Sequence, residues 1–381
     1  MNVVIAIDSF KGSLTSMEAG HALARGILQA VPQANIKVLP LADGGEGTVD
    51  ALVSGMHGIP REVTVTGPLG QPILTSYGII EETNTAIIEM ALAAGIMLIP
   101  EKKRNPLSTT TRGVGEMIVD ALKLGCRRFL VGVGGSGTND GGIGMLQALG
   151  YEFLDNNGRV ILPGAQGLKD LAEIRTQNVL PELQECTFRI ACDVRNPLCG
   201  EQGCSAIFGP QKGASPEMIR DMDFWLSQYA ALAKKTFPKA DPDFPGTGAA
   251  GGLGFAFLTF LNGTLEPGIQ MILDETGLEE QIKQADFIIT GEGQLDQQTV
   301  MGKAPAGVAL LAKKWNKPVI AFSGSVTPEA SLCNQKGIDA FFPVLRQITT
   351  LEKAMEPDTA KENLSAAAEQ VFRLIHMLQP N

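Results

Sequence analysis

Residues 62–80 read EVTVTGPLGQPILTSYGII. Two alternating runs flank Gly-Pro-Leu-Gly-Gln-Pro, the pattern of an antiparallel hairpin closed by a turn. What precedes it has another character. NVVIAI (2–7) is a β-branched run expected as a buried strand, and SMEAGHALARGILQAV (16–31) has helical spacing with Ser16 as its cap. IKVLP (36–40) repeats the strand signal, and a helix is expected over 46–54. This β-α-β-α rhythm opens a parallel sheet, and the hairpin interrupts it from about Arg61.

Downstream of the hairpin, TAIIEMA (85–91) adds a strand. A helix (108–124), a strand (129–133), a helix (141–149), the strand FRIACDV (188–194), a long helix (216–235) and a glycine-broken apolar helix (249–261) follow. The β-α rhythm returns with DFIIT (286–290), a helix (303–315), PVIAFSG (318–324), a short helix, DAFFPVL (339–345) and a closing helix (359–378). The expected fold class is α/β. A Rossmann-like, doubly wound parallel-sheet domain, discontinuous over 1–60 and 285–381, is interrupted by a second, mixed α/β domain over 61–284. Such folds bind ligands beyond the carboxyl ends of strands and between domains, so the active site is expected in the interdomain cleft.

With 381 residues, 44% hydrophobic and 19% charged, the chain is of the globular class. A formal net charge of −10 argues against a nucleic-acid partner, since phosphate backbones select basic faces. Cysteines at 126, 186, 192, 199, 204 and 333 form no C-x-x-C, and the three histidines at 21, 57 and 376 are dispersed. Neither a zinc site, a disulfide framework nor a Ser-His-Asp set is expected. The start lacks a basic n-region and meets Asp8 early, and the apolar stretch at 253–261 is far short of a membrane span. A cytoplasmic setting without a membrane partner is the expectation.

Polar residues collect after the strands. DSFKGS (8–13), ADGGEGT (42–48), GVGGSGTNDGG (132–142), CDVRNP (192–197), GEGQLDQQT (291–299) and SGS (323–325) each follow an apolar run. Bare backbone beside small hydroxyls suits an anion approached by main-chain N–H groups. Gly134, Gly135, Ser136, Gly137, Thr138 and Asn139 are therefore candidates to bind phosphate, with Lys212, Gly291, Glu292 and Gln294. Lys11, Arg195, Lys212 and Lys303 are the nearby cations; Asp8, Asp43, Glu46, Asp193, Glu292 and Asp296 are the carboxylates. Phosphoryl transfer needs charge compensation, Mg²⁺ on one or two carboxylates, and a base at the attacking hydroxyl. Asp193, aimed by a strand end beside Arg195, is the expected base. Asp43 is the expected metal ligand or second base, with Asp296 a further metal ligand. No Walker A sequence is present, so ATP would be held without a P-loop. Two other readings stay open. One is a helix entry, with Thr138 or Asn139 as the cap and the glycines forming the turn. Gly132–Gly137 also matches G-x-G-x-x-G, with Asp155 about twenty residues on, as in a dinucleotide fingerprint.

Taken together, DSFKGS, ADGGEGT, GVGGSGTNDGG, CDVRNPL, FGPQKGA (208–214), PGTGAAGGLG (245–254), TGEGQLDQQT (290–299) and GKAP (302–305) resemble the bacterial type 1 glycerate kinase family, in order and over nearly the whole chain. The resemblance implies an ATP-dependent, Mg²⁺-requiring kinase acting on the small molecule D-glycerate, with 2-phosphoglycerate as product. It also implies a Rossmann-like domain interrupted by a second α/β domain. On that reading Arg195 or Lys11 holds the substrate carboxylate and Asp193 activates the hydroxyl. The 134–139 loop, Lys212 and the 291–299 loop cradle the triphosphate. The rivals are an NAD-dependent dehydrogenase using Gly132–Gly137 and a non-catalytic sugar-acid sensor. Oligomeric state is left open.

Overall fold

The computed structural model describes residues 1–42, 48–56, 58–300 and 303–378. The chain divides into two compact units. One comprises Met1–Asp43, Asp50–Met56 and Ile269–Asn381; the other comprises Gly44–Val49 and His57–Gly268.

The first unit is built on five parallel strands, in the order Ala340–Pro343, Val319–Val326, Phe287–Leu295, Asn2–Ile7, Asn35–Pro40. From Asn2–Ile7 the chain steps outward to Asn35–Pro40. From Phe287–Leu295 it steps outward the other way. The strand order thus reverses between Asn2–Ile7 and Phe287–Leu295, the kind of point where open α/β sheets leave a crevice at their carboxyl ends. Helices cover both faces, so the central strands begin as apolar runs, Val3–Ile7, Phe287–Ile289 and Val319–Phe322. Val3, Ile5 and Ile7 face the helices Ser16–Ala30 and Pro357–Leu378, whose Leu23, Ile27, Leu364 and Phe372 are buried with them. Helix Ala304–Lys314 packs against the same sheet, burying Val308, Ala309 and Ala312.

Small residues set the helix spacing in this unit. A Cβ on Gly26 would stand 1.9 Å from the carbonyl oxygen of Ser365, so the terminal helix can cross Ser16–Ala30 only over a glycine. The cap of Ser16–Ala30 is Thr15, which forms a capping box with Glu18. Ser16, expected as the cap, is instead a buried tie: its hydroxyl donates to the Ile7 carbonyl at 2.6 Å and accepts from Leu41 N–H at 2.9 Å. It thereby fixes the ends of two neighbouring strands. The strand expected to stop at 290 continues to Leu295, so half of the expected 291–299 loop is sheet. Helices Gly268–Glu275 and Leu278–Gln284, which the sequence patterns did not suggest, precede it. Ile269 packs against Gly307, placing this segment with the first unit.

The second unit carries a six-stranded mixed sheet, ordered Thr264–Glu266, Thr187–Ala191, Arg128–Gly132, Thr85–Glu89, Pro72–Ile80, Ile59–Thr66. The hairpin forms as expected, with Thr66 opposite Pro72; Thr85–Glu89 joins it antiparallel, and the remaining pairings are parallel. Helices Arg112–Lys123 and Pro216–Thr236 bury Val114, Met117, Leu226 and Tyr229 in its core. Phe129 and Phe188 stack at 4.8 Å across adjacent strands. The apolar helix Ala249–Phe260 is kinked near its start, where Ala250, Gly251 and Gly252 all have positive φ. No helix among the described residues is long and apolar enough to cross a membrane.

Candidate active site

In the first unit a cavity of about 490 Å³ opens at the strand-order reversal. One wall comes from the turn after Asn2–Ile7 (Asp8, Ser9, Phe10, Lys11, Ser13). A second comes from the far end of Phe287–Leu295 (Glu292, Gly293, Gln294, Asp296), and Lys303 adds another cation. Asp8 N–H donates to the Gly291 carbonyl at 2.9 Å, which locks the two strand ends together. Asp8 and Glu292 are both buried, while Lys11 and Gln294 are exposed.

Local hydrogen bonds aim these groups. Asp8 Oδ1 accepts from Ser9 N–H at 2.7 Å. Thr299 Oγ1 donates to Glu292 Oε1 and accepts from Asp296 N–H, while Asp296 Oδ1 accepts from Thr299 N–H at 3.2 Å. Asp296 thus caps the short helix Gln297–Val300 and orients Glu292 through one threonine. Gly291 is required here. Its φ is 149°, and a Cβ would lie 1.8 Å from the Phe322 carbonyl oxygen. It permits the neighbouring strand to pass close by without binding any ligand through a side chain.

The second unit holds the glycine-rich loop and divides the expected phosphate-binding residues in two. Gly137, Thr138 and Asn139 are buried, whereas Gly134, Gly135 and Ser136 form an accessible lip. Gly137 N–H donates to the Ala94 carbonyl, and Asn139 Nδ2 donates to Ser205 Oγ at 2.9 Å. Asp140, wholly buried, anchors the loop: Oδ2 accepts from Thr111 N–H and Oγ1–H and from Gly144 N–H, and Oδ1 accepts from Gly142 N–H. Burial pushes its pKa up in spite of these donors. Lys212 is 1% exposed, and its ammonium donates to Thr138 O at 2.7 Å and to Ser136 Oγ at 2.9 Å. Its charge therefore lies beneath the lip and acts on the loop from inside. Burial lowers its pKa to about 8.

Asp193 lies just past the strand Thr187–Ala191, exposed, with Oδ1 accepting from Gly268 N–H at 3.0 Å. Arg195 is exposed two residues on, in the same loop. Asp43 and Glu46 lie outside the described residues. For Mg²⁺, no group of three or more His, Cys, Asp or Glu side chains among the described residues could hold an ion. Nucleotide-bound Mg²⁺ uses one or two protein carboxylates and takes its other oxygens from phosphates and water. Asp8, Glu292 and Asp296 on one crevice fit that mode and do not fit a protein-only cage. The sequence places Asp8 only among the nearby carboxylates, with no role given to it, and does not by itself single out Thr299, the buried tie between Glu292 and Asp296. The Asp-Ser directly after the first strand was the available signal.

The dinucleotide fingerprint fails on geometry. Gly132–Gly137 opens no helix; the next one, Ile143–Ala148, is six residues long and begins beyond Gly142. Asp155 uses its carboxylate within its own turn, accepting from Asn157 and Arg159 N–H. A nicotinamide cofactor has neither its pyrophosphate cradle nor its ribose anchor.

Comparison with known proteins agrees with the kinase reading. The family model described as the glycerate kinase family matches residues 3–376. A glycerate 2-kinase of Escherichia coli (strain K12) is 46% identical over 371 residues, covering 97% of each chain. A glycerate kinase of Bacillus subtilis (strain 168) is 47% identical over 356 residues, 93% of each chain. A crystal structure from Salmonella typhimurium LT2, provisionally assigned as glycerate kinase 2, superposes with a TM-score of 0.91 at 44% identity, over 99% of this chain and 98% of that one. By sequence over its full length and by fold, this chain belongs to the glycerate kinase family.

Proposed function

We propose that the protein transfers the γ-phosphoryl group of ATP to D-glycerate, giving ADP and 2-phospho-D-glycerate. The observation that carries this reading is the crevice at the strand-order reversal. Carboxylates and lysines line it together, in a chain close to full-length glycerate kinases. The choice of the 2-hydroxyl follows the relative named as a glycerate 2-kinase.

Each unit carries groups suited to a part of the reaction. In the second unit the Gly134–Ser136 lip, with the Lys212 charge beneath it, provides N–H donors for phosphate oxygens. In the first unit, Gln294 and Lys11 at the crevice add donors and positive charge, and Asp8, Glu292 and Asp296 are the carboxylates available to Mg²⁺. The ion, when bound, neutralises charge on the phosphates. Asp193 orients the attacking hydroxyl and takes its proton, its carboxylate held by Gly268 N–H. Arg195 grips the glycerate carboxylate, a match that a planar guanidinium makes well. Positioning and charge compensation do most of the work in such a transfer.

The test is product identity. Incubating the protein with Mg-ATP and D-glycerate and assigning the product by ³¹P NMR should show 2-phosphoglycerate. A 3-phosphoglycerate signal would refute the regiochemistry, and absence of any phosphoglycerate would refute the activity.

A further inference from the structure

The crevice of the first unit is not lined by polar groups alone. Val344, Leu345, Leu351, Ala354 and Met355 give it an apolar wall. Leu345 and Leu351 are exposed on it, 45% and 76%, although apolar side chains at a functional rim gain most by being covered. Met355 reaches across to the turn that carries Lys11, its methyl group against Gly12. D-glycerate has three carbons, a carboxylate and two hydroxyls, and offers nothing to such a wall. The cavity, at about 490 Å³, is also larger than so small an acid requires.

We infer that this wall receives the purine ring of the nucleotide, with the ribose directed toward Ser13 and the phosphates toward Glu292–Gln294. This inference rests on the kinase reading above and assigns the base, which that reading leaves unplaced. Two polar groups on the lining support it. Ser13 belongs to the cavity lining, and its Oγ, itself buried, has no hydrogen-bond partner among the described residues. Asn363, on the helix Pro357–Leu378 beside the apolar wall, lines the cavity with a carboxamide able both to donate and to accept at a purine edge. An apolar slot with a few convergent polar groups, at the reversal of strand order, is the arrangement that nucleotide-binding α/β sheets present.

Photolabelling of the full-length wild-type protein with 8-azido-ATP, whose reactive group is on the purine, tests the assignment directly. The label should fall within residues 344–363 and be suppressed by excess ATP. In parallel, Leu351→Asp, at an exposed position that folding tolerates, should raise KM for ATP about fivefold or more while leaving KM for D-glycerate unchanged. Absence of ATP-protectable label from that peptide, in protein that still turns over ATP and D-glycerate, overturns the base assignment alone. Absence of turnover in the unlabelled wild-type protein overturns the kinase reading beneath it.

Discussion

Asp8 N–H is bonded to the Gly291 carbonyl at 2.9 Å, and this bond extends the pairing of two strands that set Val3 beside Phe287, 284 residues further along the chain. The register continues at Ile5 with Ile289. The carboxylates of Asp8 and Glu292 are consequently placed by sheet geometry and not by loop conformation, which suits groups that must meet developing charge without rearranging.

Gly291→Ala should therefore damage the fold and the site together. The new methyl group would meet the Phe322 carbonyl at 1.8 Å in a backbone conformation that L-residues rarely adopt. A loss of about 3 kcal/mol or more is expected, read as a lowered midpoint in urea unfolding. An unfolding midpoint equal to wild type would show that the strand can move aside.

Asp193→Asn keeps an oxygen for Gly268 N–H and removes the charge. Turnover should fall by about 100-fold or more, the usual contribution of a positioned base, with a melting temperature within about 2 °C of wild type. Near-normal kcat would take Asp193 out of the chemistry.

Lys212 offers a pH test. Its pKa in the folded protein, about 8, lies below the ordinary 10.5, so the buried charge opposes folding at neutral pH. Between those two values the unfolded chain binds the proton and the native one does not, and stability rises with pH. Wild type should thus gain stability relative to Lys212→Met as pH climbs from about 8 toward 10.5, by on the order of 3 kcal/mol at most. Denaturation curves at pH 7.5 and 10 measure it; a constant difference would mean that the ammonium is not buried. Over the same range nucleotide affinity should fall, because the charge beneath the lip is lost.

Asp140→Asn retains the size of the side chain and turns an acceptor of four hydrogen bonds into one whose amide faces donors. A cost of about 2–4 kcal/mol is expected, with weakened ATP binding because the lip loses its anchor. Unchanged unfolding and unchanged nucleotide affinity would together dismiss the anchoring role.

Periodicity made the larger architecture legible. The apolar run 3–7 and the alternating hairpin at 62–80 correspond to parallel and antiparallel pairings because burial on two faces or one dictates those patterns. Short elements left no such trace. Glu152–Leu154 and Glu173–Arg175 are three-residue strands, too brief to show a period. At the site, residue types suggested a chemistry but could not separate an accessible group from an internal strut. Thr138 shares a motif with Gly134 and Ser136, and Lys212 stands in the separate FGPQKGA, yet only the fold shows which of them are buried. The apolar wall at 344–355 escaped for the opposite reason: a leucine that stays exposed reads, in sequence, like any other leucine.

The placement of Phe287–Leu295 beside Asn2–Ile7 has a consequence for biosynthesis. On the ribosome the first strand emerges long before its central partner, a wait of tens of seconds at bacterial elongation rates of about 5–20 residues per second. The segment His57–Gly268, which contains every strand of its own six-stranded sheet, is synthesised within that interval. Nascent chains stalled after residue 268 should accordingly resist protease across 57–268 while remaining cleavable in the first forty residues, and protection of both would rule out this order of assembly.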